Sequence, residues 1–276
     1  INIVPLRRSR LSKPLLNVYK RMVPKMSKTE KEALEAGGVW WEGELFSGMP
    51  NWDVLMTMPQ PELSPDEKKF LDGPCEKLCE MLNDWEISHH RGDLPEEIWK
   101  FFKSEKFFAM IIPKKYGGLE FSSYANAMVT AKIASRNAVA SSTVGVPNSL
   151  GPAELLLHYG SEEQKNHYLP RLASGDEIPC FALTSTEAGS DASSIIDSGI
   201  ICKGTWNGEE IIGIKLNWNK RYITLAPVAT ILGLAFKLYD PEKLIGEIED
   251  YGITAALIPT NLDGVTIGRR HLPMNV

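Results

Sequence analysis

The chain has little cysteine, no long apolar run and none of the common phosphate-binding or nucleophile signatures. Its four cysteines in 276 residues are Cys75 and Cys79, four apart on an expected helix, and Cys180 and Cys202 in strand-like runs. No C-x-x-C and no histidine cluster at metal-ligand spacing accompanies them, so reduced, buried thiols are expected and no metal is assigned. No apolar run reaches the roughly 18 residues that a membrane-crossing helix needs. The longest, Val228 to Phe236, contains Gly233 and reads as a strand. G-x-G-x-x-G, G-x-x-x-x-G-K-[ST] and G-x-S-x-G are all missing. Nicotinamide binding, P-loop hydrolysis and α/β-hydrolase chemistry therefore lose their usual support. His89 and His90 are expected at a helix end, where a cation suits the dipole, and His158 and His167 fall in helical segments; none is given chemistry.

Basic residues crowd the N-terminal stretch with no acidic residue among them. Residues 1–29 hold eight basic residues (Arg7, Arg8, Arg10, Lys13, Lys20, Arg21, Lys25, Lys28) and no Asp or Glu. The net charge of -5 hides this, because the other 22 basic and 35 acidic residues leave the remainder near -13. Charge alone leaves three readings of the segment: contact with nucleic acid, contact with anionic lipid, or a solvated arm. At 43% hydrophobic and 24% charged, the whole has the composition of a folded protein with one large domain or two smaller ones.

Helix signals dominate before Asp176. Ser64-Pro65-Asp66-Glu67 is a capping box with Pro at the first helical position, and Phe70, Leu71, Leu78, Met81, Leu82 and Trp85 follow at helical spacing. A second helix opens at Asp93–Glu96 with Leu94, Ile98, Phe101 and Phe102 as its apolar stripe. The Gly117-Gly118 turn leads to a third, capped by Ser122 or Ser123 and running to about Ser135. Ser161-Glu162-Glu163-Gln164 is another capping box, with Gly175 as the stop. After Asp176 short runs rich in β-branched and aromatic residues take over, at 178–184, 199–206, 210–217, 221–225, 228–239, 252–258 and 264–270. Asn207-Gly208 marks a hairpin, and the acidic stretch Pro241–Tyr251 a longer one. The pattern predicts an α+β chain: an α-helical bundle, then an antiparallel β-barrel or sandwich. The expected divisions are an N-terminal extension at 1–62, a helical domain at 63–175 and a β-domain at 176–276.

Two runs suggest a ligand site. Ala182-Leu183-Thr184-Ser185-Thr186-Glu187-Ala188-Gly189-Ser190-Asp191 reads as a strand breaking into a Gly-Ser-Asp turn that offers hydroxyls and N–H groups. Lys220-Arg221-Tyr222-Ile223-Thr224 reads as a short strand with Tyr222 and Thr224 on one face. Taken alone, both are ordinary strand and turn.

Together with Ile111-Ile112-Pro113-Lys114-Lys115-Tyr116-Gly117-Gly118-Leu119, Val146-Pro147-Asn148-Ser149-Leu150-Gly151 and Tyr159-Gly160-Ser161-Glu162-Glu163-Gln164-Lys165, in this order, these runs resemble the acyl-CoA dehydrogenase family from about Asp93 onward. Upstream, Trp40-Trp41-Glu42-Gly43 and Phe70-Leu71-Asp72-Gly73-Pro74 are similar to its large, membrane-associated, fatty-acid-degrading bacterial subfamily. The resemblance implies the first two of the family's three domains, the helical C-terminal one being absent from this chain. It implies FAD as cofactor and the oxidation of medium- or long-chain acyl-CoA to trans-2-enoyl-CoA, the first step of fatty acid β-oxidation. An electron-transfer flavoprotein would be the acceptor, in a homodimer or homotetramer and without nucleic acid. Residues 1–29 would then lie beside the membrane, placing the protein in the cytoplasm at the inner face of the cell membrane.

By the same resemblance Thr184 would hydrogen-bond the pyrimidine side of the flavin, with Phe181 and Leu183 beside it. Gly189 would allow close backbone approach, and Ser190 would reach a pyrophosphate or the pantetheine of the substrate. Tyr222, where the family usually has Trp, would cover the flavin face opposite the substrate, next to Ile223, and Thr224 would place its hydroxyl near N5. The family's Glu-Pro is replaced by Ser185-Thr186. The catalytic Glu is expected in the third domain, so no base is assigned here, and Glu187 and Asp191 are read as turn residues. The chain on its own is therefore expected to be inactive and to bind FAD weakly or not at all. The abrupt ends, Ile1 and the His271–Val276 stretch, are expected to be cut points, the latter within a strand or its turn. Two alternatives stay open: an acyl-CoA oxidase, which would release peroxide, and a non-catalytic acyl-CoA-binding module.

Overall fold

The computed structural model describes residues 3–23, 26, 31, 34–149 and 151–271. Lys25, Lys28, Leu150 and the expected chain end after His271 lie outside them. By its contacts the chain divides into Ile1–Met58 and Pro59–Val276.

In the first unit, α1 (Val4–Arg7) continues through a π-helical turn, Arg8–Ser12, into α2 (Lys13–Met22), with helical backbone at each junction. The wide turn falls just before Pro14, which has no N–H to give to the preceding turn. A 3-10 segment, Trp41–Ser47, ends at Gly48 with φ 75°, and α3 (Trp52–Met56) is capped by Asn51. The Trp41 and Trp52 rings lie 5.0 Å apart. No described residue of this unit is buried.

The second unit starts at the expected capping box. Glu67 N–H donates to Ser64 Oγ (3.4 Å) and Ser64 N–H to Glu67 Oε2 (2.7 Å), opening α4 (Pro65–Asp72). The single helix expected through Trp85 is instead broken at Gly73, because Pro74 restarts the chain as α5 (Pro74–Met81). There follow α6 (Glu96–Ser104), α7 (Ser123–Ala134, capped by Ser122), α8 (Ala138–Gly145), α9 (Pro152–Tyr159) and α10 (Glu162–Ser174). The Ser161–Gln164 box and the left-handed Gly175 bound α10 as the pattern predicts. Phe102, Phe107, Phe108, Ile98, Leu78 and Ile133 fill the core between these helices. Buried Asn148 stitches it. Its Nδ2 donates to Phe107 O (2.6 Å) and Val144 O (2.9 Å), and its Oδ1 accepts from Ile111 N–H (3.3 Å).

The sheet comprises β1 (Pro179–Ala182), β2 (Ser198–Trp206), β3 (Glu209–Asn217), β4 (Ile231–Tyr239) and β5 (Asp250–Pro259). It is one open, mixed sheet, which corrects the expected antiparallel barrel or sandwich. β4 is the centre. β5 runs antiparallel along one edge. β1 and then β2 run parallel along the other, with Ala182 opposite Leu234 and Ser198 opposite Lys237. β3 pairs only with β2 among the described residues, so the two ends do not meet and nothing closes. Alternation in a sequence marks a strand but does not encode its partner or direction.

The run Ile231–Phe236 is buried at every position, as a central strand covered on both faces should be. Ile231 also joins Ala153, Leu156 and Leu169, which fastens the sheet to α9 and α10. The β2–β3 hairpin has the expected turn, Asn207 and Gly208 at φ 52° and 86°. Two expected strands do not form. Residues 221–225 carry left-handed backbone at Tyr222 (φ 60°) and Leu225 (φ 68°), which breaks the pleat. Residues 264–270 find no ladder, and Arg270 instead donates to Gly92 O and Asp93 Oδ2.

Candidate functional site

Between Ala182, where β1 leaves β4, and Ser198, where β2 joins it, the chain makes a loop, 183–197. This loop contains the first suggested run. The second, 220–224, follows β3, and the two meet. Arg221 N–H donates to Thr184 O (3.0 Å), Ser185 and Lys220 form an isolated antiparallel bridge, and Lys220 Nζ donates to Leu183 O (2.8 Å). Two segments more than thirty residues apart thus share one rim of the sheet.

Phe181 is half-buried on β1, its ring against Gly233 of β4: a Cβ on Gly233 would stand 3.2 Å from Phe181 Cδ2. Leu183 packs with Ala188, Ile195 and Ala235 beneath the loop. Thr184 is half-buried, whereas Gly189 and Ser190 are exposed at the bend. A Cβ on Gly189 would meet nothing within 4 Å, so no neighbour in this chain demands the glycine. Tyr222 is 60% exposed and meets His271 edge-on with ring centroids 4.9 Å apart. Arg221 flanks the same ring, its Cζ 5.7 Å from the centroid. Ile223 packs inward on the sheet core, and Thr224 is exposed in the turn that follows. Because this segment is not a strand, the period-two expectation that Tyr222 and Thr224 share a face does not apply.

Glu187 and Asp191 are exposed, and Asp191 caps its own turn by accepting from the Ser193 (2.6 Å) and Ser194 hydroxyls, which hold its carboxyl below the usual range. Ser185 carries a feature that its place in the sequence does not announce: its Oγ is one of two buried side-chain polar atoms without a hydrogen-bond partner among the described residues, the other being Asn126 Oδ1. The larger omission is Asp197 with Lys220. These side chains form an ion pair 2.6 Å long, each 2% exposed. Asn219-Lys220-Arg221 offers three polar residues in a row and no periodicity to say which turns inward; Asp197 looks like any turn residue.

The family "Acyl-CoA dehydrogenase, N-terminal domain" matches residues 67–176. An acyl-CoA dehydrogenase of Bacillus subtilis (strain 168) is 29% identical over 185 residues, 67% of this chain and 45% of that protein. The mitochondrial very long-chain specific acyl-CoA dehydrogenase of Rattus norvegicus is 27% identical over 237 residues, 84% of this chain and 34% of that protein. A glutaryl-CoA dehydrogenase structure from Mycobacterium smegmatis, in complex with FADH2, superposes with a TM-score of 0.61 at 24% identity, over 86% of this chain and 53% of that one. The chain thus spans less than half the length of these two curated relatives. The matched stretch spans helices α4 to α10, and the sheet follows them in order: over these residues the chain is similar to the N-terminal domain of acyl-CoA dehydrogenases.

Proposed function

We propose that this chain supplies the flavin-facing surface of an FAD-dependent acyl-CoA dehydrogenase that oxidises medium- or long-chain acyl-CoA to the trans-2-enoyl-CoA and passes its electrons to an electron-transfer flavoprotein. The observation that carries the reading is the meeting of 184–185 with 220–221 at one rim of the sheet. Relatives of the same name and a fold neighbour holding FADH2 support it.

The residues fit such a group. Leu183 O and Thr184 O are occupied by Lys220 Nζ and Arg221 N–H, which leaves the Thr184 hydroxyl as the polar contact this strand end offers outward. Ser185 Oγ adds a buried, unpartnered hydroxyl, and a buried polar group is rarely left without a partner. The open space at Gly189 allows a phosphate or ring edge to approach the backbone. When bound, FAD supplies the hydride acceptor. The chain's own share is orientation: Thr184 and Thr224 offer hydroxyls, Phe181 and Leu183 apolar contact, Ser190 a hydroxyl toward a pyrophosphate or the substrate, and Tyr222 an aromatic wall that Ile223 anchors in the sheet core.

Flavin absorbance of the FAD-loaded enzyme that holds this chain together with the catalytic base should bleach anaerobically on adding acyl-CoA, and Thr184→Val in it should weaken FAD binding. Absent bleaching with a series of chain lengths, or FAD binding indifferent to Thr184→Val, Tyr222→Ala and Thr224→Val together, overturns the reading. Steady peroxide release would reassign it to an oxidase.

The same reading places the protein at the inner face of the cell membrane. Its support is α2: Leu15, Val18 and Met22 fall on one exposed stripe at helical spacing, with Lys13 and Lys20 opposite. No described helix is long and apolar enough to cross a membrane, and such a helix suits the plane of an anionic surface.

A further inference from the structure

The buried Asp197–Lys220 pair has no part in the proposed chemistry, and its surroundings give it one. Every other ion pair among the described residues leaves both partners at least 18% exposed. Taking two charges out of water is costly, and a buried pair is often no more stabilising than apolar side chains of the same volume. What it has over apolar packing is direction, since an ammonium and a carboxylate hold their partners at fixed distances and angles.

Those partners are the boundaries of the site. Lys220 Nζ reaches Leu183 O (2.8 Å), where the 183–197 loop begins, and Asp197 Oδ2 (2.6 Å), where it ends. Asp197 Oδ1 accepts the N–H of Asn219 (2.8 Å), and its backbone O accepts from Lys237 of β4 (2.9 Å). Both ends of the loop and the segment bearing Tyr222 are therefore tied to one buried ammonium and one buried carboxylate. The sheet does not need this knot, because β1, β2 and β5 take their registers from β4.

We propose that Asp197 and Lys220 are positioning residues: the pair sets the separation and relative orientation of Thr184 and Tyr222, and hence the shape of the surface offered to the flavin. This rests on the reading that the two segments face FAD, and the test separates the two.

The enzyme containing this chain is compared with its Lys220→Met, Asp197→Asn and double Asp197→Leu/Lys220→Met variants by hydrogen-exchange mass spectrometry, thermal melting and FAD titration. The single variants strand a charge or its partner and serve as the sensitive cases; the double variant keeps the volume without the charges. It should melt close to wild type and keep slow exchange across β4, yet exchange faster at 183–186 and 219–222. FAD should bind at least about tenfold more weakly, the loss of one hydrogen bond's worth of contact, and with an altered flavin spectrum. Unchanged exchange in both segments overturns the proposal whatever FAD does, and so does faster exchange accompanied by wild-type FAD affinity and spectrum. A wild-type enzyme containing this chain with no saturable FAD response overturns the flavin reading instead, while the exchange comparison still decides whether the pair orders the two segments.

Discussion

Glu67 shows how much one carboxylate can hold. Its Oε2 accepts from Ser64 N–H and its Oε1 from Ser122 N–H at 2.6 Å, so one side chain 6% exposed closes the first turns of both α4 and α7. Burial alone would raise its pKa, but the two backbone donors outweigh it and lower the value to about 2. A folded pKa below the unfolded one means stability that is present in full above the usual carboxylate value of 4.5 and is lost as pH falls from there toward 2. Glu67→Gln should cost about 1–3 kcal/mol at neutral pH, measured by urea unfolding, and the gap to wild type should narrow below pH 4.5; a gap constant down to pH 3 would refute the double-cap account. The first half of this arrangement was legible as a four-residue box. The second half was not, because its donor lies 55 residues away. All four thiols are free; Cys75, Cys79 and Cys180 are buried as expected, Cys202 only half so, and burial pushes Cys75 and Cys180 up to about 12. Half-buried Cys202 should therefore be the first to react with a thiol reagent at pH 8, located by peptide mapping, with Cys75 and Cys180 reacting only after unfolding.

At the scale of elements, caps and tight turns were the readable features, since their chemistry is local. The Gly117-Gly118 turn contains two different requirements. Gly117 needs its left-handed backbone (φ 87°), while a Cβ on Gly118 would stand 1.9 Å from Ile112 O. Gly208 has only the first requirement and open space around it. Gly208→Ala should thus cost about 1 kcal/mol, whereas Gly118→Ala should displace the backbone at Ile112 and lower the melting temperature far more; equal losses would refute this division. The α2 stripe can be tested in the same way. Leu15→Glu or Val18→Glu should abolish sedimentation of the chain with phosphatidylglycerol vesicles, and 0.5 M salt should weaken it, while phosphatidylcholine vesicles should bind little. Charge had marked that stretch in the sequence without choosing among lipid, nucleic acid and solvent; the exposed apolar stripe on its other side favours lipid. The short strand expected at 221–225 failed because propensity says nothing of two positive φ angles.

For the whole molecule, helices before sheet were legible from the change of period near Asp176, but the sheet's topology was not. A short β1 lying parallel to a strand some fifty residues later is set by packing on α9 and α10, not by neighbouring residues. Everything in the sheet passes through β4. Phe236 is fully buried there, its ring against Gly199 of β2. Phe236→Ala should cost about 3–5 kcal/mol in a denaturant titration; a loss below 1 kcal/mol would mean that the centre of the sheet lies elsewhere. The shared edge of β4 has a further result. The 183–197 loop departs opposite Leu234 and returns opposite Lys237, about 10 Å apart at the rise of a strand. Its two feet are anchored so closely, and its underside is so well held by Leu183, Ala188, Ile195 and Asp197, that the exposed positions Thr186, Glu187, Gly189 and Ser190 can be exchanged while the strands below keep their register. A lineage is free to retune what it holds at that rim without rebuilding the platform that supports it.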